Sequence, residues 1–335
     1  MDYKRFFLAL KEGNLPLCLL LDGEEEYVKL SALAQLRQAF LAPGAGVLDE
    51  SVLPEKAGFA QISEACETLP FLSEKRLVIV KESQLCLSSG RGGEEDADRV
   101  CAYVDGLPET TLLVFLVKGN ADMRKKLPKK IAAKKGDVRF SFLVPREQAL
   151  FVQRQLNAFG KRIAADAMEE LLLRAGPPLE RLEGESSKLA HYLGDRGEVA
   201  LKDVEEVVAR SAESTAFQML DALLGRRAKP ALSMFEELRA RGESGFGILA
   251  LLTGQLRRML HLCLLTEGGM ARGEAAQSLA LSPYVAGKVA ESARGYGSGQ
   301  LKAMLARCIE TDYALKSGRL REESAIEMLL LAFLA

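Results

Sequence analysis

Histidine is scarce in this chain: His191 and His261 are the two residues of that type, on separate segments far apart in sequence. No HExxH pair exists to hold a metal, and no Gly-x-Ser-x-Gly turn exists to present a nucleophile. His261, in "RRMLHLCLL", reads first as a helix-face residue, and Ser186-Ser187 beside Lys188 reads as a feature of a helix surface. The six cysteines (Cys18, Cys66, Cys86, Cys101, Cys263, Cys308) include no CxxC pair. Several lie inside apolar runs, as buried thiols of a reducing cytosol do, which argues against a disulfide framework. Long apolar runs are missing too. "MLLLAFLA" at 328–335 falls far short of the ~18 residues a spanning helix needs. The start, "MDYKRFFLALKEG", puts an acid at position 2 and has no apolar region of signal-peptide length. The expectation by elimination is a cytoplasmic protein with no membrane segment. Charge of one sign is also lacking: the net charge is −1, so any contact with nucleic acid must come from a local patch or from companions.

What is present is an ordinary globular composition, 48% apolar and 27% charged, over 335 residues, a length that suggests two or three domains. The first 143 residues alternate strand-like and helix-like segments. "LPLCLLLDG" (15–23) is a continuous apolar run ending in Gly, as a strand buried on both faces would be. "EEEYVKLSALAQLRQAF" follows with helical spacing, and "GVLDESVL" (46–53) is a second extended piece. A helix over 58–69 places Phe59, Ile62, Cys66 and Leu69 on one stripe, and Pro70 stops it. Leu77–Val80 is a third strand and "TTLLVFLVKG" (110–119) a fourth, after a charged helix around 93–106. "GDVRFSFL" (136–143) is a fifth. Such alternation predicts a parallel sheet covered by helices. Beyond Pro145 nothing reads as a strand: short helices run to about 210, and longer ones from 214 onward form a bundle. The expected organisation is therefore an α/β domain over 1–143, a small helical domain over 144–211 and an all-α bundle over 212–335.

In a nucleotide-binding α/β domain the first strand leads into a Gly-x4-Gly-Lys-Ser/Thr loop that cradles phosphate and magnesium. Here the loop is Asp22-Gly23-Glu24-Glu25-Glu26-Tyr27, three carboxylates where phosphate should be, and no Lys or Ser/Thr is read as following them. An anion would be repelled. The third strand should end in an acidic pair to hold Mg²⁺, and it ends Val80-Lys81-Glu82-Ser83. No catalytic residue, metal site or cofactor is expected.

Two segments are candidates for partner contact. "MRKKLPKKIAAKKG" (123–136) carries Arg124, Lys125, Lys126, Lys129, Lys130, Lys134 and Lys135 with no acid between them. It could face phosphates. A solvated surface helix offset by the flanking Asp122 and Asp137 weighs a little more, because no aromatic residue interleaves the lysines to stack on bases. The other segment is Leu69-Pro70-Phe71-Leu72. Leu69 continues the apolar stripe of its helix, which favours core, whereas Phe71 and Leu72 fall after the Pro stop and before Ser73-Glu74-Lys75-Arg76. A loop normally lies on the surface, so core and exposed peg stand even on pattern alone.

Taken in order, "LLLDGEEEYV" (19–28), "ACETLPFLSEKRLVIVK" (65–81), "TTLLVFLVKGNADMRKKLPK" (110–129), "LERLEGESSKLAHY" (179–192), "FQMLDALL" (217–224), "GQLRRML" (254–260) and "DYALKSG" (312–318) resemble the delta subunit of the bacterial DNA polymerase III clamp loader. Each stretch alone is loose; their succession across nearly the whole chain is specific. The resemblance implies a RecA-like, AAA+-type N-terminal domain, a small helical lid and a C-terminal helical collar that serves oligomerisation. It implies a subunit without its own ATPase motifs that binds the beta sliding clamp and helps open it. Its implied partners are the tau/gamma ATPase subunits, the delta prime subunit and, within the complex, primer-template DNA. The family's clamp-binding tip falls on Leu69, Phe71 and Leu72, with Phe-Leu where some relatives have Leu-Phe. Arg124, Lys125, Lys129 and Lys130 stay as the candidate contacts to DNA or a partner. The competing readings are an AAA+ ATPase with an unusual nucleotide loop and a DNA-binding adaptor acting through 123–136.

Overall fold

The near-continuous apolar runs of the first third of the chain become strands buried on both faces. In the computed structural model, which describes residues 1–88, 94–279, 281, 283–293 and 295–334, the order is α1 (Tyr3–Glu12), β1 (Cys18–Asp22), α2 (Glu26–Phe40), α3 (Gly46–Asp49), β2 (Glu50–Leu53), α4 (Phe59–Glu67), β3 (Arg76–Lys81), α5 (Glu94–Tyr103), β4 (Thr111–Leu116), α6 (Lys126–Ala133) and β5 (Asp137–Arg139). The five strands form one parallel sheet in the order β2-β3-β4-β1-β5. This is the RecA-like, AAA+-type arrangement expected.

Successive strand residues point to opposite faces, and each face has its own core. Leu20, Val78, Val80, Leu113 and Phe115 meet Ile62 and Cys66 of α4, Val100 of α5 and Ile131 of α6. Leu19, Leu21, Leu77, Ile79 and Val114 meet Phe6 of α1 and Ala32, Leu33 and Leu36 of α2. The two ends of β1 and β4 come out side by side, with Leu21 opposite Leu116.

Several local expectations are corrected. Residues 46–49 form the helical turn α3 and only Glu50–Leu53 is strand. α1 was not anticipated, although Asp2 caps it by accepting from the Arg5 N–H at 2.8 Å and Gly13 ends it with φ +71°. α4 stops at Glu67, two residues short of Leu69. β5 covers Asp137–Arg139 and is shorter than 136–143, although Phe140 still donates its N–H to the Asp22 carbonyl at 2.7 Å and accepts from the Glu25 N–H at 2.9 Å. The charged helix around 93–106 is observed as Glu94–Tyr103, position 93 lying outside the described residues.

The chain divides into two compact units, Met1–Phe142 with Pro178–Glu180, and Leu143–Pro177 with Arg181–Ala335. Beyond the sheet lie α7 (Pro145–Ala158), β6 (Arg162–Ile163), α8 (Ala165–Ala175), α9 (Leu179–Leu193), β7 (Glu198–Val199) and α10 (Leu201–Val207). β6 and β7 pair in parallel, so the expectation of no strand after Pro145 does not hold. Two residues each, they are too short to leave a period in the sequence. Arg174 of α8 fixes the end of α10: its guanidinium donates to the Glu205 and Val208 carbonyls at 3.0 and 3.1 Å and pairs with Glu170 at 2.7 Å. Ser186 is buried with its hydroxyl on the Leu182 carbonyl at 2.6 Å, not on a helix surface.

The last segment comprises α11 (Ala212–Leu224), α12 (Ala228–Ala240), α13 (Gly245–Glu267), α14 (Arg272–Ser278), α15 (Pro283–Ser292), α16 (Ser298–Lys316) and α17 (Glu322–Leu334). α13 is long and apolar enough, by length and composition, to cross a membrane. Its buried stripe, including Ile248, Leu252, Leu256 and Met259, is the centre of the bundle core, packed with α11, α16 and α17.

Candidate functional site

The tip begins with the end of α4. A helix leaves its last carbonyls without internal partners, and here outside groups take them. The Thr111 hydroxyl donates to the Cys66 carbonyl at 2.8 Å and the Thr68 hydroxyl to the Glu64 carbonyl at 2.9 Å. The Tyr103 hydroxyl donates to Glu67 Oε1 at 2.6 Å, with its ring edge-on to Phe59. The helix end is thus fastened to β4 and α5 just before the chain enters Leu69-Pro70-Phe71-Leu72.

Past that point the loop is held by a carboxylate from elsewhere. Asp49, the last residue of α3, is fully buried. Its Oδ1 accepts from the Phe71 N–H at 2.5 Å, and its Oδ2 accepts from the Leu72 and Ser73 N–H groups at 2.9 and 2.7 Å. Ser73 Oγ accepts from the Ala42 N–H at 2.9 Å. Arg76, at the start of β3, donates to the Leu48 carbonyl and Ser51 Oγ at 2.9 and 2.8 Å, tying α3 and β2 to β3. Burial works to raise the Asp49 carboxyl, but donation from Phe71, Leu72 and Ser73 outweighs it and holds the group at about 2.

With the backbone fastened inward, the side chains face out: Leu69 is 73% exposed, Phe71 77% and Leu72 54%. Their structural placement is therefore a surface tip. The expectation that Leu69 lies on the core stripe is corrected, and the reason is the early helix end. Leu48, beside Asp49, is a further exposed apolar residue that the sequence did not mark. Asp49 and Arg76 were missed as well, and no spacing signal could have found them, since Asp49 meets residues 22 to 24 positions away.

The loop after β1 has the opposite character. One of its carboxylates, Glu26, and one ammonium, Lys29, are turned on each other. Lys29 is fully buried, and its Nζ donates to the Gly23 and Val117 carbonyls at 2.8 and 2.6 Å and to Glu26 Oε1 at 2.7 Å. Glu26 Oε1 also accepts from the Gly119 N–H at 3.2 Å. Asp22, buried, pairs with Arg139 at 2.8 Å. Burial pushes the Glu25 carboxyl above the usual carboxylate range. At Gly23, φ +118°, an added Cβ would come 2.2 Å from the Phe140 carbonyl oxygen, so the loop's glycine is held against β5's end. The statement that no Lys follows the loop needs correction. Lys29 stands at the motif's lysine spacing from Gly23, with Val28 in place of the second Gly and Leu30 in place of Ser/Thr. Its ammonium points into the protein, where phosphate does not reach it.

The basic segment is largely neutralised, by acids other than those expected. Asp98 and Asp105, on or just after α5, pair with Lys126 (2.7 Å) and with Lys130 and Lys134 (2.6 and 2.8 Å). Arg124 takes Asp122 at 2.9 Å, as expected, but Asp137 pairs with the N-terminal ammonium. Lys125 Nζ donates to the Gln84 carbonyl at 2.8 Å. Lys129 and Lys135 are exposed and have no ion-pair partner among the described residues. Arg124, Lys125 and Lys130 are thus each engaged by a group of the chain, while Lys129 is exposed without an ion pair among the described residues.

The two histidines stand apart, one engaged and one exposed. His191 Nδ1 lies 2.7 Å from the Ser187 carbonyl and its ring meets Phe159 edge-on, while His261 is exposed on α13. Burial pushes the Cys66 and Cys86 thiols up to about 12, which keeps them protonated.

Comparison with known proteins follows the same two segments. The family described as DNA polymerase III, delta subunit, matches residues 19–140, and that described as DNA polymerase III delta subunit, C-terminal domain, matches residues 213–333. Together the two models take in well over half of the chain. The DNA polymerase III subunit delta of Bacillus subtilis (strain 168) is 27% identical over 330 residues, 97% of this chain and 95% of that protein. A solved structure, the Bacillus subtilis DNA clamp loader delta protein (YqeN), aligns over 99% of both chains with 27% identity and a TM-score of 0.55.

Proposed function

The chain belongs to the DNA polymerase III delta subunit family, and from that premise we propose that it is a non-hydrolysing subunit of a replicative clamp loader. In this reading it binds the beta sliding clamp through Leu69, Phe71 and Leu72 and helps open the ring for loading onto primed DNA in the cytoplasm. Residues 144–211 serve as its lid and 212–335 as its collar, through which it joins tau/gamma and delta prime subunits. The observation that carries the reading is the tip: three neighbouring apolar side chains stand exposed on a loop whose backbone is fastened from behind. Apolar side chains so presented suit an apolar pocket on a partner.

Burying one Leu or Phe contributes about 1.5–3 kcal/mol, so the three could contribute ~5–8 kcal/mol before association costs are deducted. Only the part that differs between closed and open clamp can open the ring. Moving an equilibrium from 1:99 to 99:1 needs about 5.5 kcal/mol, so the tip alone is marginal as an opener. A second contact from the body of α4 around Glu64 would close that gap. Glu67 is less suited to it, since its carboxylate already holds Tyr103.

The absence of hydrolysis in this reading is supported by the loop after β1, where Lys29 and Glu26 are engaged with each other and with backbone groups. The test is binding of the isolated protein to a bacterial sliding clamp, wild type against the Leu69→Ser/Phe71→Ser/Leu72→Ser variant, with circular dichroism of both. Binding lost in a folded variant is the expected result. A wild type that does not bind the clamp would sink the reading.

A further inference from the structure

An apolar loop in water tends to fold its side chains back onto the protein. The loop at 69–72 does not, and the cause lies in its backbone. The N–H groups of three consecutive residues, Phe71, Leu72 and Ser73, converge on one carboxylate at 2.5, 2.9 and 2.7 Å. Such a concavity of successive N–H groups is an anion nest, and here a fully buried side chain of the same domain fills it. Hydrogen bonds to an ionised acceptor are stronger than neutral ones. The anchor is itself rigid. The Asp49 N–H donates to the Ala45 carbonyl at 2.8 Å, the next residue begins β2, and Arg76 bridges Leu48 and Ser51. With the N–H groups drawn inward, the side chains of Phe71 and Leu72 are left pointing to solvent.

We propose that Asp49 is the positioning residue of the apolar tip, its carboxylate holding residues 71–73 in the outward arrangement that a partner's apolar pocket receives. The proposal rests on the reading of the tip as the clamp contact and adds to it how the tip is kept ready. Phe71 and Leu72 are exposed and Ser73 is half-buried, so removal of the carboxylate should loosen the loop and leave the sheet folded.

The experiment is amide hydrogen exchange on the isolated protein, together with association and dissociation rates on a bacterial sliding clamp, for wild type, Asp49→Ala and Asp49→Asn. In Asp49→Ala, exchange at 71–73 should rise about 100-fold while that of Leu77–Val80 in β3 stays as it is. Clamp affinity should fall ~10- to 100-fold, carried by the association rate, since only the fraction of molecules with an ordered tip can bind. Asp49→Asn, which keeps one acceptor oxygen, should fall between, and it carries the test if the Ala variant does not fold. A general weakening of the domain would raise exchange in β3 as well and would overturn the assignment. So would unchanged exchange at 71–73, or loosened amides with unchanged clamp affinity. Should the wild type fail to bind the clamp while Asp49→Ala still frees these amides, the clamp reading falls and the positioning role of Asp49 stands.

Discussion

The tip at 69–73 and the loop at 22–29 use the same device with opposite results. In each, one fully buried charged side chain gathers backbone groups: Asp49 collects three N–H donors, and Lys29 collects two carbonyls and a carboxylate. In the tip the fastened backbone throws apolar side chains outward. In the other loop the polar groups that could have met a ligand are satisfied internally. Whether a loop presents or conceals is set by which side of its backbone the buried charge engages.

The comparison can be strained most severely at Lys29. Lys29→Met should remove a donor to two buried carbonyls and leave Glu26 with the Gly119 N–H but without its ammonium partner. The expected loss is about 3 kcal/mol of folding stability by urea denaturation, with the fastening of the tip unchanged. If stability did not move, Lys29 would not be holding the loop. Next in size is the contrast between inside and outside on α4 and its exit. Ile62→Ala should cost about 2–4 kcal/mol of stability, whereas Phe71→Ala should change stability by no more than about 0.5 kcal/mol and weaken clamp binding roughly tenfold or more. Equal stability losses at the two positions would mean that Phe71 is core.

A smaller effect is expected from acid. The Asp49 carboxyl is held at about 2, below the ordinary carboxylate value of 3.8. Its contribution to stability is therefore complete above about pH 4 and is lost as pH falls toward 2. The amide resonances of Phe71, Leu72 and Ser73, followed by NMR from about pH 4 down to about pH 1, should shift together with a midpoint near 2. Shifts that move with a midpoint near the ordinary 3.8, or that move independently of one another, would contradict the arrangement. The smallest effect belongs to the basic segment: Lys129→Gln with Lys135→Gln should leave stability within about 0.5 kcal/mol. If the pair does meet DNA, the salt dependence of binding should drop by no more than about two counterions.

The sheet was legible because its strands are continuous apolar runs separated by helical ones, a pattern that strand burial on both faces produces directly. Leu77 to Val80 and Leu112 to Phe115 could hardly have been anything else. α1 was equally legible from Asp2 and Gly13, though the sequence reading did not assign it. The tip was half legible. Pro70 marked the stop, but whether Leu69 stayed with the helix depended on a helix end that periodicity fixes only to within a residue or two. Asp49 and Lys29 were hidden for different reasons. Asp49 acts across more than twenty residues, with nothing in local spacing to announce it. Lys29 was in plain view at the spacing of a phosphate-binding lysine, and only the fold shows that its ammonium points inward.

That inward-pointing lysine has a consequence for timing. In the proposed reading, a loop whose Lys29 and Glu26 are already matched offers no second arrangement for an arriving phosphate to induce, and no clock of the chain's own runs at that position. In the proposed assembly, the moment of gripping and the moment of letting go would have to be dictated by neighbouring molecules.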